Sequence, residues 1–220
     1  MKLIGLILRA VLLIAGLYVL TGPHQSRTPS VAVQYGTWCP EGGCVTIADW
    51  ETLASPELRL PLALAFTYNP QWRLVAWTAT ARGTTLRVGS LEKLNTPRGR
   101  VLGAYNALSN SIIIDQSVLE APIEVQAAIL SHEMAHAASL SVASSLGGQF
   151  MAADCLQEEA RAAAWELSTY ISVPHTGSGS LWNASEDLLV GYWKANRLSE
   201  RIMLTPGYQR ECLGRELAAP

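Results

Sequence analysis

Charged residues are scarce in this chain of 220 residues: Asp, Glu, Lys and Arg make up only 15% of it, whereas soluble proteins average about 25%. The formal net charge is −2, so there is no basic excess to neutralise phosphates, which argues against a nucleic-acid-binding protein.

Long hydrophobic runs are also scarce. The run at residues 60–66 contains a proline and is too short to span a membrane, so we assign it to the core. Intrinsic disorder is excluded, because seven Trp, seven Tyr and 49% hydrophobic residues can build a core.

Residues 1–22 contain the apolar segment that comes nearest to the length of a membrane span. Lys2 and Arg9 are its only charges, and a Gly-Pro pair ends it. A basic start followed by an apolar run is typical of a secretory signal peptide, whereas residues 3–20 would also suffice for a membrane anchor. No convincing small-x-small cleavage site follows, so both alternatives stay open. In either case we expect an extracytoplasmic protein, secreted or anchored to the membrane by this segment.

Residues 23–35 contain Pro and Ser without periodicity and are interpreted as a linker, and residues 36–220 as a single domain. Hydrophobic periodicity predicts helices, then a small sheet, then helices. The predicted helices cover residues 48–53, 56–66, 71–81, 122–140, 154–171 and 185–203. The predicted strands cover residues 84–90, 101–105 and 111–115. The expected fold class is therefore α+β, predominantly helical, with about three strands; Asp154 is the expected cap of its helix, and residues 141–148 an expected loop.

Four cysteines suit an exported protein, because disulfides persist in oxidising compartments. Pro and Gly residues between Cys39 and Cys44 let the chain turn back on itself, and Cys155 and Cys212 remain as a second pair. Four cysteines allow three pairings, of which we favour 39–44 with 155–212. A zinc ribbon would need two CxxC knuckles, which are absent.

The sequence His132-Glu133-Met134-Ala135-His136 lies within the predicted helix 122–140. Residues four apart share one helix face, so both imidazoles can bind one metal ion, with Glu133 beside its open coordination position. There a carboxylate can take a proton from a water whose pKa zinc lowers. The chain's own His and Glu content yields this motif by chance in about one of 200 such chains, so we interpret it as functional.

This motif resembles that of the zincin metallopeptidases. The metzincin branch would need Gly and His where Ser139 and Val142 stand, so the resemblance points to the gluzincins, in which a Glu from a downstream helix is the third ligand. Glu159 and Ala162 match the gluzincin pattern Glu-x-x-Ala. Glu158 is adjacent but about 100° further round the helix, so only one of the two is expected to point inward. We favour Glu159 as the ligand, with Glu158 as the alternative, and expect the other carboxylate to be solvated.

The resemblance also implies roles for residues outside the motif. Zincins bind extended substrate along an edge strand, here residues 111–115, although a plain buried strand is an equal alternative. Asp115 would support a ligand His or merely end its strand. Gluzincins often stabilise the oxyanion with a downstream Tyr or His. The candidates by position are Tyr170, His175, Tyr192 and Tyr208.

The implied function is zinc-dependent hydrolysis of a peptide or protein substrate, with His132, His136 and Glu159 binding Zn²⁺ and Glu133 as the catalytic base. One alternative is a catalytically inactive, zinc-stabilised extracytoplasmic module for binding or assembly. Another is a membrane-tethered interaction protein in which the motif is coincidental.

Overall fold

The computed structural model describes the chain in several ranges. The described residues are 37–38, 45–46, 50–95, 100–145, 152–176, 180–205, 208 and 212. The N-terminal segment 1–22, the linker 23–35 and the predicted bridge between Cys39 and Cys44 lie outside them. Within the described ranges, no helix has both the length and the apolar character needed to cross a membrane.

The fold is mixed α+β and mostly helical, with a small three-stranded sheet, and it confirms the predicted fold class at this level. The helices are α1 (Trp50–Leu53), α2 (Pro56–Tyr68), α3 (Arg73–Ala81), α4 (Ile123–Ser145), α5 (Ala152–Ser172), α6 (Leu181–Lys194) and α7 (Leu198–Met203). The strands are β1 (Thr37–Trp38), β2 (Val45–Thr46), β3 (Thr85–Gly89), β4 (Gly103–Asn106) and β5 (Ser111–Asp115). Strands β1 and β2 pair as a separate antiparallel ribbon.

Local chemistry sets the ends of the early helices. Pro56 occupies the first turn of α2, where a missing N–H costs no hydrogen bond. The side chain of Asn69 accepts a hydrogen bond from the N–H of Trp72 and so starts the short 3-10 turn that leads into α3. Gly83 follows α3 with a φ of +68°, a conformation that glycine adopts without steric cost. The apolar run at residues 60–66 lies within α2, where residues 61–66 are buried in the core.

The sheet has the strand order β3-β5-β4, with β3 parallel and β4 antiparallel to β5. The register pairs Leu86 with Ile112 on one side and Gly103 with Ile114 on the other. Strand β5 is therefore the central strand, so of the two equal alternatives for residues 111–115 the substrate-binding edge is wrong and the buried strand is confirmed. Its run of isoleucines is explained by burial on both faces, which is typical of a central strand.

Helix α4 lies at the centre of the molecule. It packs most extensively against α5 and also contacts α2, α3, β4 and β5. Residues 125–137 are all buried, so this stretch of α4 has no face exposed to solvent. On α5, Ala162 and Ala163 are buried.

Three predicted boundaries in the second half are wrong. Helix α4 continues to Ser145, so residues 141–145 are helical rather than part of a loop. Helix α5 begins at Ala152, which puts Asp154 within its first turn instead of at the cap. The predicted helix 185–203 is two helices, because the chain turns between α6 and α7 through Asn196, whose φ is +57°.

The predicted bridge between Cys155 and Cys212 is confirmed; the two cysteines are 57 positions apart in sequence, and their Cα atoms are 5.3 Å apart. Because Cys155 lies in the first turns of α5, the disulfide ties the C-terminal part of the chain to this helix.

Candidate metal centre

Three side chains converge between α4 and α5. His132 and His136 lie one turn apart on α4, and their Nε2 atoms are 3.1 Å from each other. On α5, Glu159 places Oε2 3.4 Å from Nε2 of His132 and Oε1 3.5 Å from Nε2 of His136. All three residues are buried, and they form a group whose ligand atoms could hold a metal ion.

The spacing of these atoms fits a small divalent ion. In a tetrahedral zinc site with bonds of about 2.0–2.1 Å, neighbouring ligand atoms lie ~3.3 Å apart. Here the two Nε2 atoms are 3.1 Å apart, and they lie 3.4 and 3.5 Å from different oxygens of Glu159, so one ligand atom from each residue could reach a shared metal ion. Two imidazoles and one carboxylate are also the donor set of a catalytic zinc site, which keeps its fourth position open.

Glu166 holds the ring of His132 from the side opposite Glu159. Its Oε2 lies 2.8 Å from Nδ1 of His132. An ionised carboxylate only accepts hydrogen bonds, so Nδ1 donates to Glu166, and in the neutral ring Nε2 is the nitrogen free to bind a metal ion. Sequence reasoning missed Glu166. The available signal was its spacing, because residue 166 follows Glu159 by seven positions, or about two helical turns, on the same face of α5.

Glu158 is placed differently from the solvated carboxylate that the sequence suggested. Its side chain is only 13% exposed, and its Oε1 lies 3.4 Å from Nδ1 of His136. The same carboxylate accepts hydrogen bonds from the hydroxyl of Ser139 and the guanidinium of Arg161. Glu158 thus faces the outer nitrogen of His136, while Glu159 faces the inner nitrogens of both imidazoles.

The pKa values of the two histidines and of Glu159 are shifted because these side chains lie so close together. Burial alone would lower the pKa of His136, but Glu158 and Glu159 outweigh it and raise the pKa to about 9. Burial is likewise outweighed at His132, where Glu159 and Glu166 raise the pKa well above its usual range. Burial would raise the pKa of Glu159, yet the two imidazoles lower it to about 2. Each imidazole thus holds its proton more strongly, and Glu159 loses its proton more readily, than the isolated group would.

Two further carboxylates lie in the same region. Glu133, the middle residue of the motif, is 7% exposed, and burial raises its pKa although His132 and His136 act against the shift. Glu186 on α6 is 6% exposed, and burial together with the charge of Glu166 raises its pKa well above the usual range.

The remaining predicted site residues have other partners. Asp115 does not support a ligand His; its carboxylate accepts hydrogen bonds from the N–H of Leu91 and from the N–H and hydroxyl of Ser117. Asp115 therefore ends strand β5 and fixes the chain that follows β3 through the hydrogen bond from Leu91. The prediction that it supports a ligand histidine is wrong, and the alternative that it ends its strand is confirmed.

The candidate oxyanion stabilisers also engage other groups. The hydroxyl of Tyr170 lies 3.1 Å from Oδ1 of Asp187, and the ring of His175 packs on that of Tyr170. Tyr192 faces two arginine guanidiniums, and Tyr208 packs against the core. None of these contacts directs a side chain to the cluster.

The chain matches no protein-family model, and neither the curated proteins nor the solved structures contain one that is significantly similar to it. The case for function therefore rests on the geometry and chemistry of the centre formed by His132, His136 and Glu159.

Proposed function

We propose that this protein is a zinc-dependent metallopeptidase of the gluzincin type. The observation that carries the proposal is the convergence of the Nε2 atoms of two buried histidines on the buried carboxylate of Glu159, with a buried glutamate next in sequence to the first histidine. His132, His136 and Glu159 would hold the ion, and Glu166 would orient the ring of His132.

The chemistry assigned to the bound zinc is to lower the pKa of water at its open position and to polarise the scissile carbonyl. Glu133 is proposed as the general base, taking a proton from the attacking water on its side-chain oxygen and then giving it to the leaving amine. Burial raises the pKa of Glu133, which brings its basicity closer to that needed at neutral pH.

The geometry of the sheet supports an extended peptide as substrate. Strand β4 is an edge strand that contacts α4, the helix of Glu133, and in the described part of the chain no strand pairs with its outer side. Unpaired N–H and C=O groups on such an edge can bind a peptide as an added strand. We therefore transfer the substrate-binding role predicted for residues 111–115 to β4.

An extracytoplasmic location is part of the proposal. The disulfide between Cys155 and Cys212 supports it, because such bonds persist in oxidising compartments. Secretion or anchoring through residues 3–20 is a separate expectation from the sequence.

The substitution Glu133→Gln tests the proposal, because it keeps the size of the side chain and removes the base. We expect both wild type and variant to purify with one zinc per chain, and hydrolysis of a pooled quenched-fluorescent peptide library to fall by about 10²–10⁴-fold in the variant. Metal analysis and the initial rate are the measurements. Full activity in the variant would show that Glu133 is not the base.

The same experiment addresses the alternative of a zinc-stabilised binding or assembly module. The observation in its favour is the low exposure of His132, Glu133 and His136, each 7%. Stoichiometric zinc, a thermal midpoint that depends on zinc, and no cleavage of any library peptide by wild type would support that alternative over the peptidase.

A further inference from the structure

Gly103, the first residue of β4, lies directly against Glu133. A Cβ atom placed on Gly103 would be 2.6 Å from both Cγ and Oε1 of Glu133 and 2.7 Å from its Cδ. Non-bonded carbon atoms at optimal contact are about 3.5–4.0 Å apart. No side chain therefore fits at position 103 while Glu133 keeps its place.

Backbone conformation does not account for this glycine. Gly83 has a positive φ and needs glycine for that reason, whereas Gly103 lies in a regular antiparallel pair with Ile114. Glycine is needed at position 103 because a side chain there would overlap with the side chain of Glu133. Gly191 differs in this respect, because a Cβ added there would have no atom within 4 Å.

We propose that Gly103 is a positioning residue for Glu133, since its missing side chain leaves the volume in which the carboxylate side chain lies against the backbone of β4. This inference rests on the proposed function, in which Glu133 is the base. A general base must lie within hydrogen-bond reach of the proton that it removes, and a displacement of about 1 Å can cost 10²-fold in rate. Gly103 thereby lets the side chain of Glu133 lie directly beside β4, the strand proposed to bind the substrate.

The substitution Gly103→Ala tests the inference. The atoms that the new methyl group meets belong to the outer part of the Glu133 side chain, so the ligands should stay in place and the zinc content should remain that of wild type. For the best-cleaved library peptide we expect kcat to fall by about 10–100-fold with KM little changed, and the acidic limb of the pH profile to move because the base changes surroundings. Gly191→Ala, the matched control, should retain the kcat, the KM and the pH profile of wild type.

A double-mutant cycle tests the contact without any activity measurement. Glu133→Ala removes Cγ, Cδ and Oε1, which are the atoms that the added methyl group would meet. We expect Gly103→Ala to lower the thermal midpoint by about 2–4 °C when Glu133 is present and to leave it unchanged or raise it in the Glu133→Ala background. An equal shift in both backgrounds would overturn the proposed contact.

The outcomes separate this inference from the proposed function. A wild-type chain that cleaves no peptide overturns the peptidase and, with it, the catalytic role of Gly103. An active wild type together with an equally active Gly103→Ala variant overturns the positioning role alone.

Discussion

The described part of helix α4 contributes to two buried polar clusters, and only the second of them could hold a metal ion. Near its start, Glu124 is fully buried, and its carboxylate accepts hydrogen bonds from the N–H and hydroxyl of Thr176 and from the side-chain amide of Asn183. Further along the helix, the Nε2 atoms of His132 and His136 meet the carboxylate of Glu159.

The difference lies in what faces each buried oxygen. Both oxygens of Glu124 have neutral donors, so that cluster is complete within the protein and ties α4 to the chain before α6 and to α6 itself. In the second cluster the groups that face Glu159 are imidazoles, which donate to it while they are protonated and which can bind a metal ion in place of those protons. A buried carboxylate is thus a candidate metal ligand when the groups that face it can exchange protons for a metal ion, rather than by burial alone.

The largest effect on metal binding is expected from Glu159→Gln. The substitution removes the charge that faces both imidazoles, so we expect zinc content to fall from one per chain to near zero after dialysis and hydrolysis to be lost with it. Glu124→Gln is the matched control, since it makes the same change in the other cluster. It should keep its zinc and lose about 1–3 kcal/mol of stability, because a buried donor loses its acceptor.

Metal analysis and urea unfolding of both variants are the measurements. Loss of zinc in both would mean that the metal content follows stability and not ligation. Loss of zinc in Glu158→Gln instead of Glu159→Gln would move the ligand assignment by one residue.

A smaller effect is expected from Glu166→Gln, which weakens the hydrogen bond to Nδ1 of His132 but leaves the ligand set intact. Loss of such a supporting carboxylate costs about 10–100-fold in metal affinity. Glu158→Gln should cost less, because Glu158 lies 3.4 Å from the His136 nitrogen, compared with 2.8 Å for Glu166 and His132. Competition with a chelator of known zinc affinity measures both constants, and equal losses would contradict this ranking.

Zinc affinity is also expected to depend on pH. The pKa of metal-free His136 is about 9, so at pH 7 its imidazole carries a proton that zinc must displace. Glu159, with a pKa of about 2, is ionised throughout and releases none. Affinity should therefore rise about tenfold per pH unit for each displaced proton, and the contribution of His136 should level off near pH 9. Calorimetry in two buffers of different ionisation enthalpy counts the released protons, and a flat affinity between pH 6 and 8 would exclude these imidazoles as ligands.

Much of the local structure could be predicted from the sequence because its causes are local. Pro56 and Gly83 mark the ends of helices through their backbone constraints, and the run of β-branched residues in β5 defines a strand of five residues. The errors occur where the cause is distant. Pairing on both sides makes β5 central, and the left-handed Asn196 divides a helix that the hydrophobic pattern makes continuous.

For the candidate metal centre, too, some features could be predicted from the sequence and others could not. Sequence by itself determined that His132 and His136 share a helix face, because four residues make about one turn of an α-helix. Only the tertiary structure decided that Glu159 meets both imidazoles, that Glu158 and Glu166 face their outer nitrogens, and that Gly103 lies against Glu133. Helical periodicity sets the contacts within one element, whereas the packing of α5 and β4 on α4 joins residues far apart in the chain.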